Sequence, residues 1–306
     1  RSAQDHQRYL RLLPDGASAE VSGLGAIDVN IMTKLDRSVD RQGKPLAHED
    51  SDALAAFRGF AKSTLQSAMV LSAGINRKLY EYMAQFADFF PDVDGILRKT
   101  ITLKVSDYRS AAVQGKFLAR LGIWVSEFRI ESGLNCGGHA FGGSGELMGP
   151  ILAMFQERRE SLRTELGEVW AKALRDRGLT APPLPPQSIT AQGGVGTHHE
   201  HQLLLEEYHL DRVGWGTPFL LVPEVVTLDD ATREALAQST EDTVQLKHSS
   251  PLGLPFWTLR TSGGEQARRD RIAAGSPGSP CPKGHLADNR EFTDHPLCVA
   301  ARRYQA

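Results

Sequence analysis

Two glycine-rich turns constrain this chain more than any other part of its sequence: Gln192-Gly193-Gly194-Val195-Gly196-Thr197 and Gly214-Trp215-Gly216-Thr217-Pro218. Each closes a short apolar run. Ser188-Ile189-Thr190-Ala191 reads as a strand, residues 197–209 carry apolar or long side chains at helical spacing, and Leu210-Asp211-Arg212-Val213-Gly214 reads as the next strand. That is a βαβ unit with glycine at the carboxyl end of both strands. Glycine there lets backbone N–H groups approach an anion closely, and Thr197 is placed to cap the following helix, whose amino end favours negative charge. In (β/α)₈ barrels the loops after the seventh and eighth strands are a frequent phosphate site. The expectation is a phosphate cradle built from Gly193, Gly194, Gly196, Thr197, Gly214, Gly216 and Thr217. The plainer alternative is that these glycines only make tight turns.

The same alternation extends upstream. Ala68-Met69-Val70-Leu71, then Thr100-Ile101-Thr102-Leu103-Lys104-Val105, then Trp124-Val125-Ser126-Glu127-Phe128-Arg129-Ile130 read as strands. Helical segments are expected over residues 77–89, 110–121 and 149–177, with Gly122 as a stop for the second. Strands alternating with helices argue a parallel sheet with crossover helices. Counted back from the glycine turns, these are the fourth to eighth units of a (β/α)₈ TIM-type barrel. Residues 1–65 form an irregular N-terminal segment with one candidate strand at 26–32. They are too short for three further units of roughly thirty residues each, so either the early units are irregular or they lie upstream of Arg1. Residues 66–226 would hold the barrel units. Residues 227–306 would be a Gly/Pro-rich extension bearing Cys281 and Cys298, with one helix near 228–238.

Composition narrows the class. With 41% hydrophobic and 24% charged residues, the 306-residue chain is globular rather than disordered. A net charge of −2 gives no sign of a nucleic-acid or anionic-membrane partner. No apolar run approaches a membrane span, and no signal peptide stands at the start. Three cysteines do not make a secreted disulfide framework, so a reducing cytoplasm is the expected setting.

The loop after the strand at 124–130 concentrates reactive groups: Gly133-Leu134-Asn135-Cys136-Gly137-Gly138-His139-Ala140-Phe141-Gly142-Gly143. A barrel places such a loop at its reactive face. The glycines admit a planar ligand, His139 is suited to act as a general base near neutral pH, and Cys136 is a nucleophile, a metal ligand or an inert small residue. The order of Gly137-Gly138-His139, Leu147-Met148-Gly149-Pro150, Gly193-Gly194-Val195 and Gly216-Thr217-Pro218-Phe219-Leu220 resembles flavin-dependent barrels of the nitronate monooxygenase (2-nitropropane dioxygenase) type and their enoyl-reductase relatives. The resemblance covers residues 124–222. It implies an FMN-dependent oxidoreductase acting on a small-molecule substrate, with the FMN phosphate on Gly193, Gly194, Gly216 and Thr217 and His139 facing the flavin as catalytic base. Lys104, with Asp107 and Arg109 beyond it, is expected near the same face, where a cation would stabilise a reduced flavin. Asp107 and Arg109 read equally as a helix cap and a surface pair. Asn135-Cys136 and a long charged helix depart from that family's pattern.

Other readings stay open. The same cradle would serve a flavin-free lyase, isomerase or synthase acting on a phosphorylated metabolite, or the chain is a non-catalytic, barrel-derived scaffold. A homo-oligomer or an upstream segment is expected to complete the barrel. In the tail, Cys281-Pro282-Lys283-Gly284-His285 with His295 and Cys298 suggests zinc, an iron–sulfur cluster that recruits Cys136, or buried free thiols. His198-His199-Glu200-His201 matches no common metal motif and reads as solvated residues at a helix start.

Overall fold

The computed structural model describes residues 28–31, 36, 39–40, 42–72, 74–131, 148–193, 195–247, 256–278, 289–299 and 301–305. Six parallel strands dominate it: β1 (Val29–Ile31), β2 (Ala68–Leu71), β3 (Thr100–Val105), β4 (Val125–Glu131), β5 (Ser188–Gln192) and β6 (Arg212–Gly214). Between them run α1 (Asp52–Ala61), α2 (Arg77–Met83), α3 (Tyr108–Arg120), α4 (Met148–Asp176) and α5 (His198–Glu206). Their order across the sheet is their order along the chain, β1-β2-β3-β4-β5-β6, and every pairing is parallel. Among the described residues the sheet is open, with β1 and β6 as its edges. The fold is therefore α/β with a parallel six-stranded sheet, and the described residues form no closed barrel.

Strand alternation sorts the side chains into two faces. Met69, Leu71, Ile101, Leu103, Phe128, Ile130, Ile189 and Ala191 join one apolar cluster with Phe57 of α1, Leu79 and Tyr80 of α2, Leu118 of α3 and Phe155, Leu166 and Trp170 of α4. Sequential parallel strands joined by right-handed crossovers put their helices on one face, which accounts for the single cluster. Val70 is buried but stands outside that cluster, because it belongs to the opposite face.

Local chemistry fixes the element ends. Asp107 caps α3 by accepting from Ser110 N–H at 2.6 Å, and Gly122 stops it at φ +79°. Gly115 lets α3 approach α4: a Cβ there would lie 2.9 Å from Leu166 Cδ1 and 3.1 Å from Phe128 Cζ. Lys99, almost fully buried, donates to the carbonyls of Ala61 and Ser63 at 2.7 Å and to Asp88 at 3.0 Å. It ties the entry to β3 to the end of α1, at the amino edge of the sheet.

Several expectations need correction. Residues 1–65 are not uniformly irregular, since β1 joins the sheet and α1 is a full helix whose Ala53, Leu54, Phe57 and Phe60 reach the core. The helix expected over 77–89 ends at Met83 and is followed by a separate 3₁₀ turn, Ala87–Phe89. Asp211 is not in β6; it accepts from Ile189 N–H at 2.6 Å and pairs with Arg159 of α4 at 2.7 Å. The tail is not a plain extension. Besides α6 (Asp230–Ala237), it holds an antiparallel pair, β7 (Val244–Lys247) with β8 (Phe256–Leu259), then α7 (Gly263–Ala273) and α8 (Arg302–Gln305).

Candidate functional site

The face of the sheet away from the helices is polar. A parallel sheet covered on both faces is usually apolar on both, so this face marks where chemistry can sit. Register arranges it in rows. Val70, Thr102, Glu127 and Ser188 are cross-strand neighbours; one step toward the carboxyl ends come Lys104, Arg129, Thr190 and Arg212; the last row is Glu131, Gln192 and Gly214.

Glu127 is 5% exposed and fully engaged. It accepts from Arg129 at 2.9 Å, from Thr190 Oγ1 at 2.7 Å and from Arg212 at 2.7 Å. Nearer the mouth, the Lys104 ammonium lies 3.4 Å from Glu131 Oε2, with both side chains mostly buried. Lys104 therefore points onto the expected face, but its charge is matched there by Glu131 rather than left free. Among the described residues the cations Lys104, Arg129 and Arg212 outnumber the carboxylates Glu127 and Glu131 on this face, which favours an anion at its mouth. Reading β4 for strand periodicity alone misses Glu127, Arg129 and Glu131. The signal is their strict alternation with Phe128 and Ile130.

The glycine turns meet at that mouth. Gln192 and Gly214 are paired in register, so the turns that follow β5 and β6 leave the sheet side by side. Gly193 has φ +97°, which suits glycine and few other residues. A Cβ on Gly216 would meet nothing within 4 Å, whereas one on Gly214 would lie 3.2 Å from Gln192 Cγ. Thr217 opens a 3₁₀ turn, Thr217–Leu221.

Thr197 caps α5 as expected, but in a capping box. Its Oγ1 accepts from Glu200 N–H at 3.2 Å, while the Glu200 carboxylate accepts from Gly196 N–H at 2.8 Å and Thr197 N–H at 3.0 Å. Those bonds, Gly196 first, lower the Glu200 pKa. An anion bound on Gly196 and Thr197 would have to displace that carboxylate. His198 and His199 are exposed, while His201 Nδ1 accepts from the Trp215 indole at 2.7 Å and so joins the two turns.

Asp107 takes the capping role, and exposed Arg109 lies on the first turn of α3. Cys136, Gly137, Gly138, His139, Gly194, Cys281 and His285 lie outside the described residues. Cys298 is a buried free thiol, and among the described residues no group of three or more His, Cys, Asp or Glu is placed to hold a metal ion. Among them, too, no helix is long and apolar enough to cross a membrane.

No protein-family model matches this chain, and no curated protein matches it. Among solved structures it is similar to the enoyl reductase domain of MlnA from the macrolactin biosynthesis cluster of Bacillus amyloliquefaciens. That similarity has a TM-score of 0.42 at 18% identity, over 63% of this chain and 44% of the other. The chain thus spans less than half the length of that domain.

Proposed function

We propose that this chain is an FMN-dependent oxidoreductase built on the later units of a (β/α)₈ barrel. The observation that carries the reading is the register of Gln192 with Gly214, which sets two glycine turns side by side at the carboxyl edge of a sequentially ordered parallel sheet. Two further strands between β6 and β1, from an upstream segment or a second copy, would complete the eight of such a barrel.

The residues present fit part of an FMN phosphate site. Gly193, Gly194, Gly216 and Thr217 would hold the phosphate, and the open space at Gly216 supports that role. Gly196 and Thr197 fit it less well, since their amides already serve Glu200. FMN would supply the acceptor or donor of a hydride. The chain itself would orient it through the cationic row at Lys104, and His139 would take a proton from a small-molecule substrate.

The purified protein, before and after addition of FMN, tests this by its visible absorbance. A yellow protein that releases FMN on denaturation is the expected result. A colourless protein that takes up no FMN when offered sinks it. The Lys104–Glu131 pair favours a second reading, a flavin-free lyase, isomerase or synthase on a phosphorylated metabolite, because it sets an ammonium and a carboxylate 3.4 Å apart near the glycine turns, where a bound phosphorylated substrate would meet both. Saturable binding of sugar phosphates by a colourless protein would select it.

A further inference from the structure

Trp215 stands between Gly214 and Gly216 in the second glycine turn, and its indole is tied to the helix that follows the first. The Trp215 N–H donates to His201 Nδ1 at 2.7 Å, and the two ring centroids lie 5.8 Å apart. An indole can only donate. The nitrogen it meets must therefore offer a lone pair, which makes His201 in this arrangement a neutral imidazole with its proton on Nε2.

The two ends of this bond differ in freedom. His201 is the fourth residue of α5, and its own N–H closes the first helical turn on the Thr197 carbonyl at 3.1 Å. The capping box of Thr197 and Glu200 holds that turn, and the Glu200 carboxylate already occupies the Gly196 and Thr197 amides. This end of α5 is thus a fixed post rather than an anion site. The Trp215 end is looser. Glycines flank it on both sides, Gly216 would admit a Cβ without contact, and every residue from Phe219 to Val225 is exposed.

Sheet register holds Gly214 beside Gln192 and stops there. Beyond that pair the indole–imidazole bond carries the join between the turns, while the body of the Trp215 ring packs against the apolar core. A glycine-flanked turn that must be ordered when a ligand arrives binds more weakly than one already held.

We propose that His201 is a positioning residue for the anion site: by holding Trp215 it fixes the second glycine turn against the first, so that both offer their amides to one phosphate monoester. This rests on the reading of the turns as a phosphate site, whether the phosphate belongs to FMN or to a metabolite.

Calorimetric titration of the full chain with FMN and with ribose 5-phosphate tests it and tells the two sources apart. His201→Phe and Trp215→Phe should each weaken the ester that binds about fivefold, roughly the worth of one hydrogen bond. The two together should cost no more than either, because they remove the same bond. His201→Gln should restore the parent affinity, since its amide oxygen can accept the indole N–H. In the unliganded parent, which needs no variant to fold, nitrogen NMR shifts should show His201 protonated on Nε2 and bare on Nδ1. An affinity unchanged in His201→Phe, a glutamine variant as weak as the phenylalanine one, additive losses in the double variant, or a proton on Nδ1 would each overturn this inference alone. A parent that binds neither ester overturns the phosphate reading, and this inference with it.

Discussion

Single carboxylates organise this molecule to an unusual degree. Glu127 gathers Arg129, Thr190 and Arg212 on the polar sheet face. Replacing it with alanine leaves a partly buried guanidinium without its partner, and urea denaturation should show a loss of about 3 kcal/mol. The Lys104–Glu131 pair behaves differently under double substitution. Lys104→Met alone strands a buried carboxylate and should destabilise markedly, whereas Lys104→Met with Glu131→Leu should recover most of that loss, a coupling that a double-mutant cycle measures. Glu265 of α7 is 6% exposed and accepts from Arg268 at 2.7 and 3.0 Å and from Lys247 of β7. Those partners, Arg268 first, hold its carboxyl down to about 2 from an ordinary 4.5. A carboxyl lowered on folding stabilises the native state above its unfolded pKa and ceases to do so as pH falls through the folded one. Thermal melts of the parent and Glu265→Gln should therefore differ most near pH 6 and converge between pH 4.5 and about 2.

At the scale of elements, helix α3 shows how close packing limits a gain in propensity. Alanine for glycine in a helix interior is worth about 1 kcal/mol, yet the new Cβ of Gly115→Ala would press on Leu166 Cδ1 and on the fully buried Phe128 ring. The net result should be a loss of about 1–2 kcal/mol in chemical denaturation, because both neighbours are buried and must shift to admit the methyl group. The helix–strand alternation from residue 68 to residue 214 was legible because its periodicity and stops are local: Gly122, Thr197 and the β3 and β4 patterns needed no tertiary knowledge. α1 was not legible, since Asp52-Ala53-Leu54-Ala55-Ala56-Phe57 follows a polar stretch and gains its stability from the sheet it covers. The β7–β8 pair was missed for the same reason. Its Val244-Gln245-Leu246-Lys247 strand is short, and the ion pair that anchors it to α7, Lys247 with Glu265, joins residues far apart in sequence. The candidate site was legible in its glycines and in Lys104, but not in Glu131, whose partner lies on another strand. Nor did the sequence reveal that Glu200 would claim the Gly196 and Thr197 amides.

For the molecule as a whole, the central strands should be the most protected. Backbone amides of β3 and β4 are flanked by strands on both sides, whereas β1 and β6 have one neighbour each among the described residues. Hydrogen exchange should rank them accordingly, slowest at Ile101–Val105 and Phe128–Ile130, fastest at Val29–Ile31 and Arg212–Gly214. A β1 as slow as β3 would mean that a further strand covers that edge, as closure of a barrel by a second copy requires. The coincidence of chain order with sheet order has a consequence for how the protein is made. Each strand docks on the one synthesised just before it, so no strand must wait for a later one to be inserted between itself and its neighbour. A chain emerging from the ribosome can lay this sheet down from one side to the other. One that is losing structure can shed strands from either margin without severing a pairing in the middle.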